Sequence, residues 1–422
     1  MTKTIRPLPH LDAVVTLPGS KSYTQRALVI ASLAEGQSVL NHPLFAEDTH
    51  WLMEALRALG AQITIRNDAI IVTGTGGRLR TPDHPLHLGN NGTALRLLTT
   101  AAALGKGAIT LTGDPRLCER PIRPLLDALR TLGVDCRGRN DTGFPPVAIH
   151  AEGLHGGRVV LQDIESSQYV SSLLISAPYA RGDVEVLLSG RIPSLPYIGM
   201  TLEAMTHFGQ TVESPALHHY RIRGGRRYEG RAYRVEGDAS SASYFFLAAA
   251  LLKGRIRVEN VNPATLQGDI GMVALLEDLG CMVRRGDDWL EVTGRDLKSG
   301  DCRFDLGDMP DMVPTLAVLS ALRPGRTVIG NVAHLRHKES NRLAALVAEL
   351  NRAGIEAKET EDGIMIHGGI PRGAVIETYN DHRIAMSFAI LGLAVPGMEI
   401  QNSACVNKSF PEFWDTLDRL YS

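Results

Sequence analysis

Two patterns of apolar and polar positions recur along this chain. Short runs such as Ala61-Gln-Ile-Thr-Ile and Ala69-Ile-Ile-Val have the period of a half-buried strand. Longer aliphatic runs such as Arg26-Ala-Leu-Val-Ile-Ala predict helices. Ser, Thr, Asn or Asp stands at the helix starts, where a side-chain oxygen can accept from unpaired amides, and Gly stands at the helix ends.

The same arrangement occurs six times. Each copy opens with small polar residues, enters an aliphatic helix, turns at a Gly into a β-rich run, and adds a second helix ending near Leu-Gly. The copies open at Gly19, Gly89, Ser166, Gly237, Asp311 and Asp381, and the first five close at Gly60, Gly133, Gly209, Gly280 and Gly354. Their spacing of about 70 residues is longer than that of common solenoid repeats. The pattern predicts an α/β protein built from six repeated βαββ-type modules, three to a domain. Residues 18–236 would form one domain, and residues 1–17 plus 237–422 the other, with both termini in it. Pro and Gly at the two crossings, Leu17-Pro-Gly19 and Glu236-Gly-Asp238, suit a hinge.

A chain of 422 residues exceeds one ordinary core, and 44% hydrophobic with 21% charged residues is the balance of a soluble globular protein. The formal net charge of -2 gives no global basic field for nucleic acid or an anionic membrane, so an anion site must be a local cluster. Cys118, Cys136, Cys281, Cys302 and Cys405 are odd in number and form no CxxC pair, which suits free thiols in the cytoplasm. The longest strongly apolar run, Phe245–Leu252, falls well short of the roughly 20 residues of a membrane span. The first residues have neither a signal core nor a transit-peptide composition. His218-His219 and His334 with His337 lack a ligand set, so no metal is expected.

Cations stand where helix physics disfavours them. A positive side chain in a first helical turn costs about 0.3 to 1 kcal/mol when nothing negative is near. Yet Lys21, Arg26 and Arg96 lie at helix starts, and Arg120 precedes Pro121, a suitable first helical residue. Lys338 and Arg342 flank Glu339 at another start, and His382, Arg383 and Lys408 occur at comparable places in the last module. One such residue is an ordinary surface charge, but a set at equivalent module starts builds an anion site from amides, dipoles and cations together. A unit charge pair near 4 Å is worth about 4 kcal/mol at an effective dielectric of 20, enough to offset the repulsion. Gly19-Ser-Lys-Ser22 is not a P-loop and Gly74-Thr-Gly-Gly77 does not complete a GxGxxG fingerprint, so the expected ligands are multiply anionic small molecules.

Six motifs in order then resemble the 5-enolpyruvylshikimate-3-phosphate synthase family of enolpyruvyl transferases. They are Leu17-Pro-Gly-Ser-Lys-Ser22 with Arg26, Gly89-Asn-Asn-Gly-Thr-Ala-Leu-Arg96, Asp114-Pro-Arg-Leu-Cys-Glu-Arg-Pro121, Ser166-Ser-Gln168, Lys338-Glu-Ser-Asn-Arg342 and Tyr379-Asn-Asp-His-Arg383. The resemblance covers nearly the whole chain. It implies an inside-out α/β barrel in each of two domains, no cofactor, and an active site in an interdomain cleft that closes on its substrates. It implies transfer of the enolpyruvyl group of phosphoenolpyruvate to the 5-hydroxyl of shikimate 3-phosphate by addition and elimination, with release of phosphate.

Carried over by position, Lys21, Gly92, Arg120, Gln168, Arg342, Arg383 and Lys408 resemble the phosphoenolpyruvate site. Lys21, Ser22, Arg26, Ser166, Ser167, Gln168, Ser194, Tyr197, Asp311 and Lys338 resemble the shikimate 3-phosphate site. Asp311 resembles the carboxylate beside the attacking hydroxyl, Glu339 the acid for the methylene carbon, and Lys21 completes the catalytic set. The chemistry asks for such a pair, because addition needs a base at the hydroxyl and an acid at the carbon, and elimination reverses both demands. On residue type alone Asp311 could cap a helix, with Pro314 three residues on, and Glu339 could complement a helix dipole.

Asn91 stands where the family commonly has a small apolar residue, Leu97 where many members have proline, and His334 where many have asparagine. Gly92 is retained, which implies sensitivity to glyphosate. The sister transferase acting on UDP-N-acetylglucosamine is disfavoured because Pro115 occupies its usual reactive-cysteine position and Cys118 is out of register. An RNA-end-modifying enzyme of related modules would need a nucleotide site and a basic face. The expected partners are the two substrates alone, and the chain is expected to be a monomer.

Overall fold

A computed structural model describes residues 1–216 and 218–421. The chain forms two compact units, Gly19–Val235 and Met1–Pro18 with Glu236–Ser422.

Gly19–Val235 contains three four-stranded sheets of one design. Ala232–Arg234, Gln37–Asn41, Ala69–Thr73 and Gln62–Arg66 lie side by side, the first pair parallel and the others antiparallel. Leu86–His87, Gly107–Thr112, Val147–Ala151 and Asp135–Arg137 repeat that order, as do Gly157–Gln162, Val184–Ser189, His219–Ile222 and Glu213–Ala216. The helices are α1 (Lys21–Leu33), α2 (Glu47–Ala58), α3 (Gly92–Ala102), α4 (Arg123–Thr131), α5 (Gln168–Ser176) and α6 (Pro196–His207). Each module is therefore β-α-β-α-β-β.

The first helix of each module goes inside. α1 is buried from Tyr23 to Leu33, and α3 and α5 are almost as deep. A helix without a solvent face suits only a core, and α3 packs on both α1 and α5. The sheets keep one face toward water, where Val160 is 58% and Ile65 52% exposed.

The other unit repeats the design with α7 (Ala239–Leu252), α8 (Gly271–Asp278), α9 (Val313–Leu322), α10 (Arg342–Arg352), α11 (His382–Ala394) and α12 (Phe413–Asp418). α7, α9 and α11 form its buried trio. One sheet begins with Asp12–Thr16, parallel to Arg255–Glu259. The last sheet has three strands, with Lys3–Thr4 antiparallel to Glu399–Ile400. The mixed α/β class read from the pattern is the class the chain adopts.

Two local expectations fail. Pro121 does not open a helix, because α4 begins at Arg123 and has Pro124 in its first turn. The Pro121 carbonyl instead accepts from Arg96 Nη2 at 3.1 Å and from the Tyr169 hydroxyl at 2.7 Å. Lys408 ends a 3-10 stretch, Ser403–Lys408, rather than starting a helix. Among the described residues no helix is long and apolar enough to cross a membrane, and no group of three or more His, Cys, Asp or Glu is placed to hold a metal.

Candidate active site

The expected residues divide between the units, and most sit at starts of helices. In Gly19–Val235, Ser20 caps α1, its hydroxyl accepting from Tyr23 N at 3.5 Å, so Lys21 is the first helical residue and Ser22 the second. Lys21 Nζ lies 3.2 Å from Asp48, a nearly buried carboxylate in the first turn of α2. One turn into α1, Arg26 is 1% exposed, and its hydrogen bonds go to neutral oxygens. Nε donates to Thr201 Oγ1 at 2.8 Å, Nη1 to the Ser22 carbonyl at 3.0 Å, and Nη2 to Ser171 Oγ at 3.3 Å and the Tyr197 carbonyl at 3.2 Å. Burial pulls this guanidinium down to about 10. The Tyr197 ring, in the first turn of α6, stands 5.8 Å from it.

The start of α3 meets the start of α5. Asn91 caps α3 and Gly92 is its first residue. A Cβ at Gly92 would lie 2.5 Å from Arg120 Cζ and 2.4 Å from Arg96 Nη1, so a side chain there would push the two guanidinium groups aside. Arg120 Nη1 donates to the Asn90 carbonyl at 3.4 Å, and Arg96 Nη1 donates to the Gly92 carbonyl at 3.1 Å and to Gln168 Oε1 at 3.3 Å. Gln168 Nε2 donates in turn to Thr93 Oγ1 at 2.8 Å. Ser166 accepts from Gln168 N at 3.3 Å, while Ser167, at the cap position of α5, is buried and makes no side-chain cap bond. Ser194 is buried with φ of 59°, a left-handed conformation just before α6.

In the other unit, one guanidinium gathers three carboxylates. Arg342, the first residue of α10, is fully buried. Its Nη1 donates to Asp311 Oδ1 at 2.9 Å, Nη2 to Glu339 Oε2 at 2.8 Å, and Nε to Asp381 Oδ2 at 2.9 Å. Arg383, in the first turn of α11, donates from Nη2 to Asp311 Oδ2 at 2.8 Å and from Nη1 to the Tyr244 hydroxyl at 3.3 Å. Asp381 caps α11, accepting from Arg383 N at 3.0 Å. Asp311 therefore does not cap α9, whose cap position is Met312. Burial alone would raise the Asp311 carboxyl, but Arg383, Lys338 and Arg342 hold it far below the usual carboxylate range. Burial would likewise lower Arg342, and Asp381, Glu339 and Asp311 raise it instead.

The loop entering α11 carries backbone strain. Tyr379 and Asn380, at φ of 52° and 55°, are consecutive non-glycine residues in the left-handed region. The buried Glu349 of α10 accepts from Glu377 N at 3.1 Å and from the Tyr379 hydroxyl at 2.9 Å, which fixes the loop ahead of Asp381. Lys408 is buried at the end of its 3-10 stretch.

The family described as EPSP synthase (3-phosphoshikimate 1-carboxyvinyltransferase) matches residues 5–417. The chain belongs to the EPSP synthase family. The 3-phosphoshikimate 1-carboxyvinyltransferase of Syntrophobacter fumaroxidans is 41% identical over 427 residues, 100% of each chain. That of Methanoculleus marisnigri is 43% identical over 411 residues, 96% of each chain. A solved EPSP synthase from Acinetobacter baumannii has a TM-score of 0.82 at 28% identity, over 99% of this chain and 98% of that one. The inside-out α/β fold of EPSP synthases is the fold of this chain. It is a transferase with 3-phosphoshikimate 1-carboxyvinyltransferase activity, which serves the shikimate pathway to aromatic amino acids.

Several members of these networks escape a residue-by-residue reading. Asp48 and Asp381, the partners of Lys21 and Arg342, look like ordinary helix-start acids, and Asp381 lies inside a motif already noted. Asp269 is buried beside Asp311 and pushed up to about 6, by burial first and then by the Asp311 charge. Its bond from the Ser240 hydroxyl joins two segments that no local pattern links.

Proposed function

We propose that the residues named above carry the transfer as follows. Lys21, Arg120, Arg342, Arg383 and Lys408, with Gly92 and Gln168, hold phosphoenolpyruvate. Ser22, Arg26, Ser166, Ser167, Gln168, Ser194, Tyr197 and Lys338 hold shikimate 3-phosphate. The observation that carries this reading is the bridging of Asp311 and Glu339 by Arg342, at 2.9 and 2.8 Å, which puts two carboxylates of different surroundings beside one cation.

In the addition step, Glu339 gives a proton to the methylene carbon while the 5-hydroxyl oxygen bonds to the adjacent carbon and its proton passes to Asp311. In the elimination step the carbon–phosphate oxygen bond breaks, a methyl proton returns to the Glu339 carboxylate as the new double bond forms, and Lys21 steadies the departing phosphate. Phosphoenolpyruvate competes with Asp311 for Arg342 and Arg383. Its anionic groups relieve Asp311 of the positive charge that depresses its basicity, so the base strengthens as the reactant binds.

The reading has the protein close on its substrates. Ligand-dependent narrowing of the radius of gyration in solution scattering is the expected sign, and an unchanged radius with shikimate 3-phosphate bound speaks against it. The reading takes the protein to be a cytoplasmic monomer that uses no cofactor. The direct assay is phosphate release from phosphoenolpyruvate with shikimate 3-phosphate, run beside UDP-N-acetylglucosamine. Release is expected with the former only, and should fall in Glu339→Gln and Asp311→Asn proteins that still bind shikimate 3-phosphate. Glyphosate should inhibit below the millimolar range. Inhibition only at millimolar levels would point to Leu97 as the cause.

A further inference from the structure

We propose that Asn91 is a positioning residue for phosphoenolpyruvate, tying the turn that carries Gly92 to the two helices that carry Lys21 and its counter-ion. The inference rests on the reading that Lys21, Gly92 and Arg120 hold that substrate.

Asn91 is 1% exposed and its side chain bonds to three helices. Oδ1 accepts from Ala94 N of α3 at 2.9 Å. Nδ2 donates to Gln25 Oε1 of α1 at 2.9 Å and to the Asp48 carbonyl of α2 at 2.7 Å. These partners fix the amide's orientation, since the Ala94 N–H can only donate and the Asp48 carbonyl can only accept.

A helix cap needs an acceptor alone, and Ser or Asp supplies one as well as Asn does. What the amide adds is its pair of donated bonds, which a carboxylate or a small apolar residue cannot make. Both lead to the Lys21 environment. Gln25 is one turn beyond Lys21 on α1, and Asp48 is the residue whose carboxylate meets Lys21 Nζ at 3.2 Å. On the other side of Asn91, Gly92 has no spare room against Arg120 and Arg96. Asn91 thus sets the spacing between a lysine on one helix and an arginine packed against the start of another. Drift of the turn would alter that spacing without dismantling either helix.

The test is Asn91→Ser, which keeps the cap acceptor and drops both donated bonds. The Michaelis constant for phosphoenolpyruvate should rise about 5- to 30-fold, the range set by one or two buried hydrogen bonds, with kcat within about threefold and the constant for shikimate 3-phosphate unchanged. Gln25→Met removes one of the two bonds from the far side and leaves the turn untouched. It should raise the same constant by a smaller factor, about 2- to 5-fold. A change of less than twofold in both proteins overturns the proposal, as does a parallel loss in kcat and in both Michaelis constants, the mark of a merely structural role. Lys21→Ala, run alongside, separates the two levels. If it leaves phosphoenolpyruvate handling intact, the underlying reading and this inference fall together. If it impairs that handling while Asn91→Ser and Gln25→Met do not, only this inference falls.

Discussion

In the unit Gly19–Val235, Arg26 is buried among hydroxyls and carbonyls, whereas in the other unit the equally buried Arg342 is ringed by Asp311, Glu339 and Asp381. The depth is the same and the electrostatic outcome is opposite. Burial wins at Arg26 and draws it down to about 10, while the carboxylates win at Arg342 and raise it. A cation of the first kind gains most from an incoming anion. One of the second kind has its counter-charges already, and an incoming anion must compete with them. On the proposed reading the first arrangement suits phosphate binding alone, and the second combines substrate cations with the carboxylates that move protons.

The sharpest way to break this contrast is to remove a group proposed to handle protons. Glu339→Gln should lower kcat by about 10²- to 10⁴-fold, the usual yield of a general acid, with the Michaelis constants changed far less. Steady-state phosphate release measures it, and a loss confined to binding would reverse the assignment of tasks. Next comes stability. Asp381→Asn leaves Arg342 short of a buried counter-charge and should cost about 3 to 5 kcal/mol in denaturant unfolding, whereas Arg26→Met, which leaves only neutral partners behind, should cost about 1 to 3 kcal/mol. Equal costs would erase the distinction. Arg26→Met should still raise the Michaelis constant for shikimate 3-phosphate about 10- to 100-fold, as expected for loss of a charge-assisted contact to phosphate.

The last effect concerns pH. Asp269 titrates near 6 in the folded chain against 3.8 ordinarily, so the folded chain holds an extra proton between those values. Its contribution to stability is complete below about pH 4 and is lost as pH rises through about 6, a change on the order of 3 kcal/mol. Asp269→Asn should flatten that part of the stability–pH curve, and calorimetry across pH 4 to 7 checks it.

The fold class was legible because each module repeats its own caps, periods and glycine stops, so weak local signals reinforced one another six times. Cations at helix starts were legible for a related reason: they oppose the helix dipole and so stand out as unexplained costs. Their partners did not stand out. Asp48 meets Lys21 from the next helix and Asp381 meets Arg342 from across the unit, contacts set by packing rather than spacing. Pro121 misled because proline suits a helix start, yet here its carbonyl is engaged by Arg96 and Tyr169. Strand pairing was equally hidden. No periodicity tells Ala232–Arg234 to join Gln37–Asn41, or Lys3–Thr4 to join Glu399–Ile400.

That last pairing bears on how the protein is made. Lys3–Thr4 and Asp12–Thr16 leave the ribosome early, yet their neighbours Glu399–Ile400 and Arg255–Glu259 are translated much later. During synthesis the segment Gly19–Val235 holds all the strands of its three sheets, from Gln37–Asn41 to Ala232–Arg234, long before the rest is complete. The nascent chain is thus expected to complete the unit Gly19–Val235 first, while the strands Lys3–Thr4 and Asp12–Thr16 await their partners as edges that a chaperone would have reason to shield.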